Sequence, residues 1–305
     1  MVLILSSVAW AQGVQNPGQG GSARQQTFKD IIDNVKTVSP DAAANLLLMR
    51  QVITQEPVTG SGYLRERVEP FKGVAYTALH NFVTIQLCAD LITAKSTQPQ
   101  AAKEALGELV NWDDRAAQKF GAGDIRDVLE NNPYGSFLRY VYPAIDKLTF
   151  TSADSDWPSL SAIIGNDKGA ELQALEAVSP KGVKDILMTR ALVKQAPTRT
   201  GNATVDQQIA DAKTQAVESL RHYGGMELLA GLLIARENED KNVPAALKVI
   251  SGPKYATDKV AFEEAFNEGV QVGPKLGNVN MLVWGWLAPE IRDTVIRLTG
   301  ASPVS

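Results

Sequence analysis

VSPDAAANLLLMRQVITQEP, residues 38–57, and VSPKGVKDILMTRALVKQAP, residues 178–197, decide how this chain is built. Aligned without gaps, they share Val38 with Val178, Ser39 with Ser179, Pro40 with Pro180, Leu47 with Leu187, Arg50 with Arg190, Gln55 with Gln195 and Pro57 with Pro197. Ordinary composition gives about one or two identities over such a length. Each stretch also places a serine directly before a proline. That is a helix N-cap followed by a residue whose missing N–H costs nothing in the first turn. Both helices are expected to stop before their second proline, Pro57 and Pro197.

Downstream of each copy the same features come in the same order. A Thr- and Gly-containing loop, TGSG at 59–62 or RTGN at 199–202, leads into a long helix carrying a histidine, His80 or His222. Leu91-Ile92 and Leu233-Ile234 lie at one offset from those histidines. PQAA at 99 and PAAL at 244 open shorter helices, and FLRYVYPAIDKL at 137 and MLVWGWLAPEIRDTV at 281 close each copy on an aromatic segment with a proline. A constant order at a nearly constant spacing predicts duplication of a unit of about 140 residues. The units run over 27–150 and 151–305, joined near TSADSD at 151–156 and Pro158. Two such units either stack as a solenoid or face one another about a pseudo-twofold axis.

The fold class is all-α. Phe71, Val74, Ala75, Ala78, Phe82, Ile85, Ala89 and Ile92 recur at three- and four-residue steps, a helical stripe over 71–95. Leu79, Val83 and Leu87 make a second face apolar, so this helix is expected at the centre. The segment 205–237 has the same character in MELLAGLLIA, with Gly224-Gly225 as an expected kink or break. AAKEALGELV at 101–110 and VPAALKVI at 243–250 resemble helices of HEAT or armadillo repeats. The repeat here is far longer than a HEAT unit of about 40 residues, so no family is assigned on that pattern.

Composition narrows the partners. The 305 residues carry a net charge of -4, with 30 Lys and Arg spread along the chain, and nucleic acid is therefore not expected as a partner. The start, MVLILSSVAWAQG, has an apolar run from Val2 to Ala9 followed by Ala9-Trp10-Ala11, a small-x-small pattern. It predicts a signal peptide over 1–11, a mature chain beginning at Gln12, a flexible leader over 12–26 and a secreted or periplasmic protein. The positive segment that precedes such runs is missing. Either the true start lies upstream or the run is a buried strand or helix. No other stretch reaches the roughly 18 apolar residues of a membrane span. Cys88 is the single cysteine, so no internal disulfide is expected, and its apolar surroundings predict a small buried hydrophobe.

Few residues suggest chemistry. His80 and His222 would suit metal or haem ligands brought together by pseudosymmetry, but no HxxxH, HExxH, CxxC or Asp-rich loop accompanies them. A core histidine with its own partner is the favoured reading. Arg50 and Arg190, in the middle of apolar helices, would grip an anionic ligand, against a favoured structural role. Trp284 and Trp286 would form a partner-binding or ligand-stacking patch, sharing one face only if their segment is extended. Glu264 and Glu268, one turn apart, read as a solvated face, and Asn202-Ala203-Thr204 is a glycosylation sequon. There is no GxSxG elbow or phosphate loop, and no cofactor is expected.

The leading expectation is thus an exported, non-enzymatic helical binding or structural subunit of an envelope or extracellular assembly, acting with a protein partner or as a homo-oligomer. The competing one is a protein, enzymatic or not, that binds a metal, haem, lipid or pigment near His80 and His222.

Overall fold

The computed structural model of the chain describes residues 28–56, 62–111, 135–151, 157–165, 168–196, 198–251 and 281–300. Every regular element among them is an α-helix, as the periodicity predicts. They are α1 (Phe28–Val38), α2 (Pro40–Thr54), α3 (Gly62–Thr97), α4 (Pro99–Asn111), α5 (Gly135–Thr151), α6 (Ser161–Ile164), α7 (Ala170–Glu176), α8 (Pro180–Lys194), α9 (Ala203–Glu237), α10 (Val243–Ser251) and α11 (Met281–Thr299). The signal and leader segments, Pro57, Pro197, Glu264 and Glu268 lie outside the described residues, as do the side chains of Trp284 and Trp286. Among the described residues no helix is long and apolar enough to cross a membrane.

The two long helices, α3 and α9, pack on each other and form the centre of the molecule. Around α3 lie α2, α4 and α5, with α1 on α2 and α4; around α9 lie α8, α10 and α11, with α7 on α8 and α10. The buried apolar side chains of both sets join in one core.

Local chemistry is repeated in both sets. Ser39 Oγ accepts from the Ala42 N–H at 3.2 Å and Ser179 Oγ from the Gly182 N–H at 3.3 Å, capping helices that open on Pro40 and Pro180. Gln55 and Gln195, both in extended backbone, end them. The buried, half-buried and exposed positions of 39–49 recur one for one at 179–189, and those of 141–149 at 291–299. Leu47 and Leu187 are both core residues, 6% and 2% exposed.

Along the long helices buried Val68, Lys72, Ala75, Leu79, Phe82, Leu87, Leu91 and Ala94 are matched 141 residues on by buried Ile209, Lys213, Ala216, Leu220, Tyr223, Leu228, Leu232 and Ala235. In this register His80 pairs with buried Arg221, while exposed His222 pairs with exposed Asn81. The two histidines therefore do not occupy corresponding positions, since one residue of slip on a helix turns a side chain by about 100°.

Two boundaries also differ from expectation. Helix α3 begins at Gly62 and runs through Pro70, where Glu66, Glu69 and Pro70 are exposed, so the carbonyl that proline leaves without a partner can turn to water. Helix α9 runs unbroken through Gly224-Gly225. A Cβ at Gly224 would stand 3.0 Å from that of Asp185, so the glycine serves the close approach of α8 and α9 rather than a break.

Candidate functional site

The contact between the two sets of helices is polar at its heart. Asn45 and Gln195 exchange amide hydrogen bonds of 2.9 and 2.7 Å, and the Asn45 amide also donates to Gln86 at 2.9 Å. On the other side Gln55 Nε2 donates to Asp185 Oδ2 at 3.2 Å and to the Tyr223 hydroxyl at 3.2 Å, and that hydroxyl donates to Glu227 at 3.1 Å. Lys72 donates to the Gln55 carbonyl at 2.8 Å and Lys213 to that of Gln195 at 2.5 Å, each closing the end of its helix. Burial, together with the charge of neighbouring Glu227, holds the Asp185 carboxyl well above the ordinary carboxylate range. Gln55 Oε1 has no donor among the described residues.

His80 is completely buried between α3 and α5. Its Nε2 lies 3.1 Å from Asp146 Oδ1 but off the line of a hydrogen bond, and its Nδ1 has no hydrogen-bond partner among the described residues. Tyr142 tilts over the imidazole at a ring separation of 3.6 Å, and the Tyr76 hydroxyl donates to Asp146 at 2.6 Å. Burial pushes the Asp146 carboxyl up, but Tyr76 and His80 outweigh it and hold the group below its ordinary value. The result is a filled aromatic cluster.

Arg50 and Arg190 have parallel positions. Arg50 donates to the Thr149 carbonyl at 2.7 Å, with Trp157 5.5 Å from its guanidinium, and Arg190 donates to the Leu298 carbonyl at 3.0 Å. Both acceptors lie in the last turn of a helix, where carbonyls lack intrahelical donors and the dipole favours a cation. Each arginine thus clamps α2 to α5 or α8 to α11. Neither lines the cavity between α3, α9 and α11.

That cavity, of about 430 Å³, opens between α3, α9 and α11. Two stripes at helical spacing face each other across it, Gly225, Met226 and Leu229 on α9 and Ile291, Val295 and Ile296 on α11, with Phe71 of α3 beside them. Leu229, Ile291 and Val295 are buried and form its floor, while His222, Pro289 and Arg292 are exposed at its mouth. Arg221 and Glu218 also line it but are paired at 2.6 Å, and Arg221 is further held by Thr299 at 3.0 Å and by the Gly300 carbonyl. Arg292 and His222 have no side-chain partner among the described residues. His80 lies outside the lining, so of the residues expected to bind a ligand only His222 is at the cavity.

Sequence reasoning missed Arg292, Met226 and Phe71, which come from three helices and share no motif. Among the described residues no group of three or more His, Cys, Asp or Glu side chains is placed to hold a metal ion. Compared with known proteins, the chain matches no family model, no curated protein and no solved structure.

Proposed function

We propose that the protein is an exported, non-enzymatic helical binding protein, built of two equivalent halves about a pseudo-twofold axis, whose ligand occupies the cavity between α3, α9 and α11. The binding reading rests on one observation, an apolar cavity of about 430 Å³ open to solvent at a polar mouth. Ligand sites are commonly concave, apolar and about 300–1,000 Å³, with a few polar groups that orient the ligand. A void left by imperfect packing is far smaller. Aliphatic side chains make the floor, and the buried guanidinium among the described lining residues, Arg221, is already committed to Glu218, Thr299 and Gly300. Such a lining holds a molecule by excluding water from it.

Support for two halves comes from reciprocity. Asn45 meets Gln195 while Gln55 meets Asp185, and positions 45 and 185, like 55 and 195, hold the same register in α2 and α8. Isologous interfaces pair residues in this way. A solenoid, which stacks units head to tail, does not. Export rests on the apolar run ahead of Ala9-Trp10-Ala11.

A neutral apolar fluorophore, N-phenyl-1-naphthylamine, tests the binding reading. One saturable site is expected, lost in Gly225→Leu, because a Cβ at Gly225 would meet Ile291 and Val295 at 3.5 and 4.0 Å, ordinary contact distances, and the rest of the side chain would take up cavity volume. No saturable binding, or binding unchanged in Gly225→Leu, would falsify it. Export is checked by N-terminal sequencing of native protein, with Gln12 expected first.

A further inference from the structure

Resting on that binding reading, we infer that the cavity takes a single-chain amphiphilic carboxylate, its alkyl chain on Leu229, Ile291 and Val295 and its headgroup at the mouth with Arg292 and His222. The lining separates into two chemistries. Its buried residues are aliphatic apart from Arg221, whose guanidinium is held by Glu218, Thr299 and Gly300, while its exposed ones include a guanidinium and an imidazole with no side-chain partner among the described residues. A purely apolar guest would use the floor and leave Arg292 idle. A cationic guest would meet like charge there, because the one carboxylate among the described lining residues, Glu218, is already neutralised by Arg221 at 2.6 Å. An anion at the mouth completes the charge balance, and the planar guanidinium fork fits the two oxygens of a carboxylate. The imidazole adds a further donor. The chain end of the guest displaces water from surface that offers it few hydrogen bonds.

Calorimetric titration of the full chain with dodecanoate, dodecanol and dodecylammonium separates this inference from the reading it rests on. Dodecanoate should bind at least tenfold more tightly than dodecanol, and dodecylammonium most weakly. In Arg292→Gln, dodecanoate should weaken on the order of ten- to a hundredfold while dodecanol is unchanged, the effect of losing a charge-assisted pair. His222→Gln should give a smaller loss in the same direction. Equal binding of alcohol and carboxylate, or an Arg292→Gln variant that keeps full dodecanoate affinity, would overturn the headgroup assignment and leave a binding cavity in place. Absence of binding by any of the three, in protein whose unfolding transition is intact, would overturn both.

Discussion

Asn45 and Asp185 hold the same place in α2 and α8, and Gln86 and Glu227 the same place in α3 and α9, yet Asn45 and Gln86 are neutral and Asp185 and Glu227 acidic. Across the molecule's centre the amide side is closed on itself, because Asn45 and Gln195 each donate to the other. Among the described residues the acidic side leaves Gln55 Oε1 without a donor, and burial raises the Asp185 carboxyl well above the ordinary carboxylate range. The outer face differs in the same manner. The place filled by His80 and Tyr142 between α3 and α5 corresponds, between α9 and α11, to Arg221 and Arg292 beside an open cavity. Most buried apolar positions of the long helices are matched, while among the polar ones Ser39, Gln55 and Lys72 keep their residue type and Asn45, His80 and Gln86 do not. Packing demands the same volumes on both sides, whereas polar positions are free to diverge wherever a partner can be found.

The apolar match is where breaking the comparison should cost most. Leu47→Ala and Leu187→Ala should each lose about 2–5 kcal/mol of stability, since both side chains are buried at equivalent points of capped helices. Chemical denaturation measures both. A loss confined to one of them would show that only one half depends on this packing.

A smaller effect should appear where the halves are least alike. Ser39 donates to Asp90 on α3, and Ser179 meets Gly231 on α9, where a Cβ would come within 2.5 Å of the serine Cβ. Gly231→Ala should therefore cost about 1–3 kcal/mol through overpacking. Asp90→Ala should cost less, since it removes atoms at a half-buried position. The reverse order in urea melts would mean that α8 can move away from α9.

Much of this was legible in the chain. The serine-proline caps, the central long helices and the structural use of Arg50 and Arg190 follow from capping rules and from helices apolar on more than one face. The 141-residue offset between buried positions of α3 and α9 was not, because aligning on the rare residue type pairs His80 with His222, whereas Leu79 with Leu220 and Leu87 with Leu228 pair His80 with Arg221. Gly224-Gly225 reads as a break when only helix propensity is weighed, and the close approach to Asp185 is a tertiary fact. The cavity was invisible for the same reason: Phe71, Leu229 and Val295 meet only once three helices are packed.

Making the acidic side resemble the amide side should stabilise the protein by about 1 kcal/mol. Asp185→Asn supplies a donor for Gln55 Oε1 and would reproduce the exchange seen between Asn45 and Gln195. It should also change the pH profile. A carboxyl whose folded pKa is raised binds more protons folded than unfolded, so stability falls as pH rises from near 4 through the folded value. The variant should lose that fall, so its advantage should grow with pH. A wild-type and variant pair with parallel profiles between pH 5 and 8 would mean that Asp185 is ionised in the fold.

An effect of similar size belongs to Asp90, and it can be told from that of Asp185 by its pH range. Burial raises this carboxyl to about 6, the charge of Asp41 adds to the rise, and hydrogen bonds from Ser39 and Thr198 restrain it. Between pH 4 and 6 the folded state therefore binds more protons than the unfolded one, stability falls across that interval, and above about 6 the contribution is flat. Solvent screening at a half-buried site keeps the total near 1 kcal/mol. Asp90→Asn keeps an acceptor for the Ser39 hydroxyl and removes the charge, so its stability should change less than wild type between pH 4 and 6 and run parallel to it above. Gly231, the matching position of the other half, carries no carboxyl, and this part of the slope should come from the N-terminal half alone. Equilibrium unfolding in urea at half-unit pH steps, with Asp185→Asn as background, isolates it. A slope between pH 4 and 6 that survives Asp90→Asn would place the titrating group elsewhere and leave the serine contacts of the two halves electrostatically alike.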